Sequence, residues 1–343
     1  MSEGALTFVL PAGSEAISGG NIFNRKLIGA LREIVPVVTI GFEEYRLVTQ
    51  RGTPGFYFAD TLDLREFVEA PRRKQEQFSV LIVHHLPSLE PGLDPGDESL
   101  AVEKAALPLF DALLTTSPFT TDVLISRGFA PERIVTVIPG LSPIERHPRS
   151  YQPPLRALVV GNLIPRKAVL EFLRVLEPVL EDEDRLVLEI VGRTDLDPEY
   201  GRSCLEFIAA SPRLRKVVRV SGPVAHEDMG EIYQRAALLV SAARMETFGM
   251  ALQEAREYGL PILAFEAGHA GHHVTDGENG FLFASIDGLA ARLGELARDE
   301  PMMRALFDRA QRLPRAASSW GNAAETLVTY LVRRFGFPRS PGS

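Results

Sequence analysis

Two carboxylates, Glu246 and Glu254, stand eight positions apart in M-E-T-F-G-M-A-L-Q-E-A-R-E-Y-G-L-P (Met245 to Pro261), on either side of a Phe248-Gly249 turn expected to be exposed. Ionised carboxylates only accept hydrogen bonds, so such a pair suits a ligand that carries hydroxyls. The apolar run Ala236 to Val240 ahead of it reads as a buried parallel strand, and the periodic Ala251, Leu252, Ala255, Tyr258 after it reads as a helix opening near Gly249. Glu246 then falls at the strand's carboxyl end and Glu254 about one turn into the helix. Open α/β sheets bind ligands at that place, and the N–H groups of Gly249, Met250, Ala251 and Leu252 would carry the positive end of the helix dipole into it. A phosphate belongs beside those amides.

A second group of chemical residues follows another strand pattern. V-V-G-N-L-I-P-R-K (Val159 to Lys167) precedes a helical pattern and sets Arg166 and Lys167 where a diphosphate would pair with them. Cations oppose the dipole at a helix start, which argues for a bound anion over idle surface charge. The small-residue loop Ser18-Gly19-Gly20-Asn21 would let a backbone approach a ligand closely, although a plain structural turn explains it equally well. It lacks G-x-G-x-x-G, which counts against an NAD-type enzyme. His84-His85 closes the run Val80 to Val83, again at a strand end, with no carboxylate nearby in sequence to suggest a triad. His269, His272 and His273 with Asp276 lack the spacing of a zinc frame, and Asp195-Leu196-Asp197 reads as a chance acidic triplet, Glu181 to Asp184 as a solvated turn.

These residues need sheets to hold them. Apolar runs at Leu6 to Leu10, Val35 to Ile40, Val80 to Val83, Ala112 to Thr115 and Ile134 to Ile138 predict one doubly wound α/β unit over residues 1–150, with Glu43 to Glu76 the least regular stretch. Leu141 to Pro154, with Ser-Pro, His-Pro and Gln-Pro-Pro, reads as the linker. A second unit over 151–318 is predicted from runs at Arg156 to Val160, Val187 to Val191, Val217 to Val220, Leu238 to Val240, Ile262 to Phe265 and Phe281 to Phe283. A last helix over 319–337 carries the stripe Trp320, Ala324, Leu327, Val328, Leu331, after a looser basic stretch around Arg312 to Arg315.

Around its two glutamates the chain resembles the retaining GT-B glycosyltransferases of family 4, whose hallmark frame is E-x-F-G-x-x-x-x-E. The resemblance runs on through G-L-P-I-L-A-F (Gly259 to Phe265), Gly268-His269 and D-G-E-N-G-F-L-F (Asp276 to Phe283). It implies two Rossmann-like domains facing a cleft, with the C-terminal helix crossing back to the first. It further implies a hexosyl transfer from a nucleotide diphosphate sugar, UDP- or GDP-linked, to a hydroxyl acceptor with retention and without a metal or other cofactor. In that frame Glu254 takes the ribose, Glu246 and the amides around Phe248 and Gly249 the sugar, and Arg166 with Lys167 the diphosphate. Asn162 stands where the family's arginine is usual. Gly19 and Gly20 lie near the diphosphate and acceptor, His84 hydrogen-bonds the sugar or steadies charge with His85 the fallback, and His269 replaces a family glycine. Base recognition is expected from backbone near Gly222 to Val224.

Composition sets the outer bounds. Lys plus Arg at 37 against Asp plus Glu at 45 gives a net charge of −8, which argues against broad nucleic-acid binding. One cysteine, Cys204, forms no internal disulfide, and no apolar run approaches the ~20 residues of a membrane span, so a cytoplasmic protein is expected. The start M-S-E-G-A-L-T-F-V-L-P lacks a secretory pattern, the tail R-S-P-G-S is expected to fray, and a homodimer is left open. A GT-B-shaped sugar-nucleotide epimerase and a non-catalytic nucleotide-sugar binding protein are the alternatives, separable by whether a donor alone is epimerised and whether any transfer or hydrolysis occurs.

Overall fold

A computed structural model describes residues 5–11, 13–14, 17–70, 74, 76–144, 149–182, 185–314 and 318–338. The second half of the Glu181 to Asp184 turn, the middle of the proline-rich linker, Arg315, the tail R-S-P-G-S and the first four residues lie outside the described residues. The chain packs as two units, residues 1–142 with 318–343, and 143–317.

In the first unit the order is β1 (Leu6–Val9), α1 (Gly19–Arg32), β2 (Val37–Ile40), α2 (Phe42–Arg51), β3 (Gly55–Asp60), α3 (Leu64–Glu69), β4 (Gln77–Val83), α4 (Glu98–Ala106), β5 (Ala112–Thr115), α5 (Pro118–Ser126) and β6 (Ile134–Thr136). All strand pairs are parallel, in the order β2-β1-β3-β4-β5-β6. Helices cover such a sheet, so its strands read as continuous apolar runs: Leu6, Phe58, Val80, Leu81, Leu113 and Leu114 are fully buried. β3 falls in the stretch that sequence periodicity leaves irregular. Its G-F-Y-F-A-D is aromatic and without a clear period, yet it sits centrally between β1 and β4.

The second unit runs β7 (Leu155–Val160), α6 (Val169–Leu176), β8 (Leu186–Val191), α7 (Pro198–Ala210), α8 (Pro212–Val217), β9 (Val218–Gly222), α9 (Met229–Arg235), β10 (Leu238–Ser241), α10 (Met250–Glu257), β11 (Ile262–Phe265), α11 (Ala270–His273), β12 (Gly280–Phe283), α12 (Ile286–Arg298) and α13 (Glu300–Arg312). The parallel order is β12-β11-β10-β7-β8-β9, so the winding reverses between β7 and β10. Leu238, Leu239 and Val240 of β10 are at most 1% exposed, and burying each stabilises by about 1.5–3 kcal/mol. Arg149 Nη1 donates to Ala236 O at 2.9 Å and Tyr151 is buried in this core, so the second unit takes up residues on both sides of the expected boundary at 150.

The last helix, α14 (Trp320–Phe335), belongs to the first unit and packs on α1. Its whole predicted stripe is buried, and Phe335 and Phe337 meet the rings of Phe78 and Phe56. Gly140 makes its entry possible: a Cβ there would lie 2.2 Å from Trp320 N, and Leu141 N–H donates to Ser318 O. No helix among the described residues is long and apolar enough to cross a membrane.

Candidate functional site

The β7–α6 and β10–α10 loops flank the reversal point of the second sheet, the place where open α/β sheets bind ligands. Both predicted groups of residues converge there. Lys167 Nζ lies 2.5 Å from Glu246 Oε1, with the two side chains 21% and 11% exposed. Arg166 Nη1 donates to Met245 O at 2.9 Å, and Arg244 N–H donates to Arg166 O at 2.9 Å, so backbone bonds tie one loop to the other. Lys167 ends a short 3₁₀ turn, and buried Ala168 follows in the left-handed region at φ 50°, a placement that costs about 1–2 kcal/mol for a residue with a Cβ.

Charge at this junction is set by burial and by the pairing. Burial pulls the Lys167 ammonium below its ordinary value, against the raising influence of Glu246. Burial alone would raise the Glu246 carboxyl, but the charges of Lys167 and Arg166 and the hydrogen bond from Lys167 outweigh it and hold the group below its ordinary value.

The helix after β10 starts where the motif places it. Gly249 caps α10 at φ 85°, ψ 59°, and a Cβ there would also come within 2.9 Å of Leu252 Cδ1, so only glycine turns this corner without strain. Met250, Ala251 and Leu252 form the first turn, whose amides have no partner within the helix. The turn itself is not exposed: Phe248 is 4% exposed, its ring packed with His269 and His273 and its carbonyl accepting from His273 Nε2 at 2.7 Å. An aromatic ring in a tight turn reads as a surface feature until the packing of the following loop is known.

Glu254 lies one turn into α10 and is 7% exposed. Its Oε2 accepts from the Tyr233 hydroxyl at 2.6 Å, and His226 Nδ1 lies 3.8 Å from Oε1. Tyr233 and His226 gave no sequence signal. Burial and then the Glu254 charge push the Tyr233 hydroxyl well above its ordinary value, so it is a fixed donor.

Asn162 Oδ1 accepts from Arg193 N–H at 3.0 Å, joining the ends of β7 and β8. Gly268 comes so close to the β10–α10 loop that a Cβ would lie 2.2 Å from Glu246 O, and His269 N–H donates to that same oxygen at 2.7 Å. His269 is 6% exposed, stacked on Phe248 and His272, with no partner for Nε2. Burial and the neighbouring imidazoles lower it to about 3, and burial lowers His273 to about 4, so both are neutral at pH 7. Among the described residues no three His, Cys, Asp or Glu side chains are grouped to hold a metal ion. The acidic triplet serves structure: Asp195 pairs with Arg193 through two bonds of 2.8 and 2.9 Å, and Asp197 caps α7. Cys204 is buried, and burial raises its thiol to about 12.

In the first unit, α1 starts at Gly19, with Ser18 Oγ accepting from Asn21 N–H at 3.2 Å. Gly20 makes room for His84: a Cβ there would lie 3.1 Å from His84 Cδ2. Burial lowers His84 to about 4, so the ring is neutral at pH 7. Its partner is Asn24 Oδ1 at 2.9 Å, and Asn24 in turn donates to Asp60 Oδ2 at 2.8 Å. His85 is paired too, with Glu90 Oε2 at 2.7 Å. Sequence distance hides the partners of His84, since Asp60 ends the unrecognised β3, whereas Glu90 lies only five residues beyond His85.

Residues 144–313 match the family described as glycosyl transferases group 1. A D-inositol 3-phosphate glycosyltransferase of Catenulispora acidiphila is 27% identical over 72% of the chain and 64% of its own length. Another from Streptomyces avermitilis is 28% identical over 64% and 51% respectively, so the chain spans less than two thirds of either relative. Among solved structures, HepE of Anabaena in complex with UDP and glucose superposes with a TM-score of 0.74 at 16% identity, over 96% of this chain and 99% of that one. The fold is GT-B. Sucrose-phosphate synthase from Thermosynechococcus elongatus agrees, with a TM-score of 0.71 at 18% identity over 97% and 100% of the chains. At such identities the likeness establishes the GT-B architecture of two Rossmann-like domains and nothing finer.

Proposed function

We propose that this chain is a retaining, family 4 glycosyltransferase that moves a hexosyl group from a UDP- or GDP-sugar to a hydroxyl acceptor without a metal ion. The observation that carries the reading is the meeting of Lys167, Glu246 and the α10 amino terminus at the reversal point of the second sheet. The match of residues 144–313 to glycosyl transferases group 1, and the UDP and glucose held by HepE, support it.

In this reading the leaving diphosphate is stabilised by the amides of Gly249 to Leu252 and by Lys167, charges already in place before the bond breaks. Arg166 braces the loop through Met245 and adds positive potential. Glu254, oriented by Tyr233, accepts the ribose hydroxyls, and backbone near Gly222 reads the base. Glu246 accepts from the sugar, its backbone held by the His269 N–H. As the resemblance to the retaining family implies, the acceptor attacks the face the diphosphate leaves, and a donor phosphate oxygen takes its proton. The acceptor is chosen by the first unit, and the reaction is cytoplasmic.

A panel of UDP- and GDP-sugars screened by thermal shift in the presence of a chelator tests the proposal. One nucleotide series should raise the melting temperature with the chelator present. A shift that appears only when Mn²⁺ or Mg²⁺ is added would contradict the metal-free site, and no shift with any member would contradict the donor assignment.

A further inference from the structure

We propose that Asp60, acting through Asn24, fixes the tautomer and ring plane of His84, making Asp60 and Asn24 positioning residues for that histidine. Donors and acceptors leave one arrangement. Asp60 Oδ1 accepts from Leu62 N–H at 2.7 Å and Oδ2 accepts from Asn24 Nδ2 at 2.8 Å, as a carboxylate's oxygens must. Asn24 therefore spends its amide nitrogen on Asp60 and turns its carbonyl oxygen toward His84 Nε2, 2.9 Å away. A carbonyl oxygen cannot donate, so Nε2 carries the ring proton and Nδ1 the lone pair.

The surroundings hold the ring as firmly as the bond does. Asn24 is 5% and Asp60 2% exposed, His84 N–H donates to Thr61 Oγ1 at 3.1 Å, and the ring lies over Gly20 and edge-on to Phe23 at 5.4 Å. Three segments far apart in sequence, the α1 start, the end of β3 and the end of β4, converge on one imidazole. Burial disfavours its protonation, in agreement with a neutral ring. His84 thus meets a substrate as an oriented neutral group and not as an imidazolium. Only the consequence for transfer rests on the function proposed above; the tautomer assignment stands apart from it.

Asp60→Asn tests the relay because it keeps the shape and reverses the bonding. Leu62 N–H holds the new carboxamide's oxygen, so its NH₂ faces Asn24, which must rotate and present its own NH₂ to His84 Nε2. The ring proton then moves to Nδ1. In [¹⁵N]histidine-labelled protein, the nitrogen–proton correlation pattern that disappears in His84→Gln belongs to His84. Wild type should show Nε2–H at pH 7 and Asp60→Asn should show Nδ1–H. A wild-type ring protonated on Nδ1 or on both nitrogens, or the same tautomer in both proteins, overturns the relay. With the nucleotide sugar that the thermal-shift panel selects and water as the acceptor, kcat for release of the nucleoside diphosphate by Asp60→Asn should fall by about tenfold or more while the donor KM stays within about twofold. A switched tautomer with wild-type kcat overturns the positioning role. Failure of the donor assignment would appear in the panel alone and leaves the spectroscopic test of the tautomer intact.

Discussion

Replacing Lys167 with Met removes one half of a nearly buried ion pair and should destabilise the second unit in a pH-dependent way. At 2.5 Å the pair gains about 6–7 kcal/mol of attraction at an effective dielectric constant of ~20, most of it offset by taking both charges out of water. Breaking such a pair costs about 3–5 kcal/mol because the surviving charge is left without its partner. Glu246 can escape by taking a proton, and from its ordinary value of 4.5 that limits the loss at pH 7.5 to about 4 kcal/mol. Arg166 still compensates part of the charge, and Met at 167 regains the cost of burying the ammonium, so the expected loss is about 2–3 kcal/mol. The sign follows from the carboxyl. In the wild type its folded pKa is held below 4.5, so its contribution is present above 4.5 and is lost as pH falls through the folded value. In Lys167→Met burial, the largest influence, is opposed only in part by Arg166 and raises the folded pKa, so the penalty grows as pH rises above 4.5. Urea unfolding followed by circular dichroism should show a gap from wild type that narrows below about 1 kcal/mol at pH 4, and Lys167→Met with Glu246→Gln should recover most of the loss. A gap of equal size at pH 4 and pH 7.5 would refute the reasoning.

Glu254→Ala should weaken nucleoside diphosphate binding by about 1.5–3 kcal/mol for each charge-assisted bond lost; calorimetry giving wild-type affinity would remove the ribose assignment. Ending the chain before Ser318 strips Trp320, Leu327, Val328, Leu331 and Phe337 from the first unit, each buried to under a tenth exposure. At about 1.5–3 kcal/mol apiece their loss rivals a domain's whole stability. The truncated chain should keep the cooperative transition of the second unit and lose that of the first, and persistence of both transitions would show that α14 is dispensable.

Much of this arrangement was legible in the sequence, for identifiable reasons. β5 and β11 coincide with their apolar runs because strands buried on both faces leave uninterrupted hydrophobic stretches. The glutamate frame puts Glu246 in the loop between β10 and α10 and Glu254 inside α10, since strand, glycine cap and helix are all local in sequence. What escaped notice depends on contacts between distant segments. β3 mixes three aromatics with Gly, Ala and Asp and shows no clear period, so Asp60 gives no sign of lying beside Asn24, and Tyr233, 21 residues before Glu254, gives none of lying beside it. The ion pair of Lys167 with Glu246 is hidden for the same reason: the two residues lie 79 positions apart, and only the sheet order brings their loops together. Phe248 misled because local pattern does not reveal what the Gly268-His269 loop packs against.

The central claim is that the β7–α6 and β10–α10 loops hold a diphosphate, and titration calorimetry of Lys167→Ala beside wild type tests it most directly. UDP and GDP would each be titrated alongside uridine and guanosine, with a chelator present. The diphosphate of the preferred base should bind wild type and lose at least about tenfold in affinity in the variant, while its nucleoside binds both proteins alike. Equal losses for diphosphate and nucleoside, or a diphosphate that binds the variant as tightly as wild type, would contradict it.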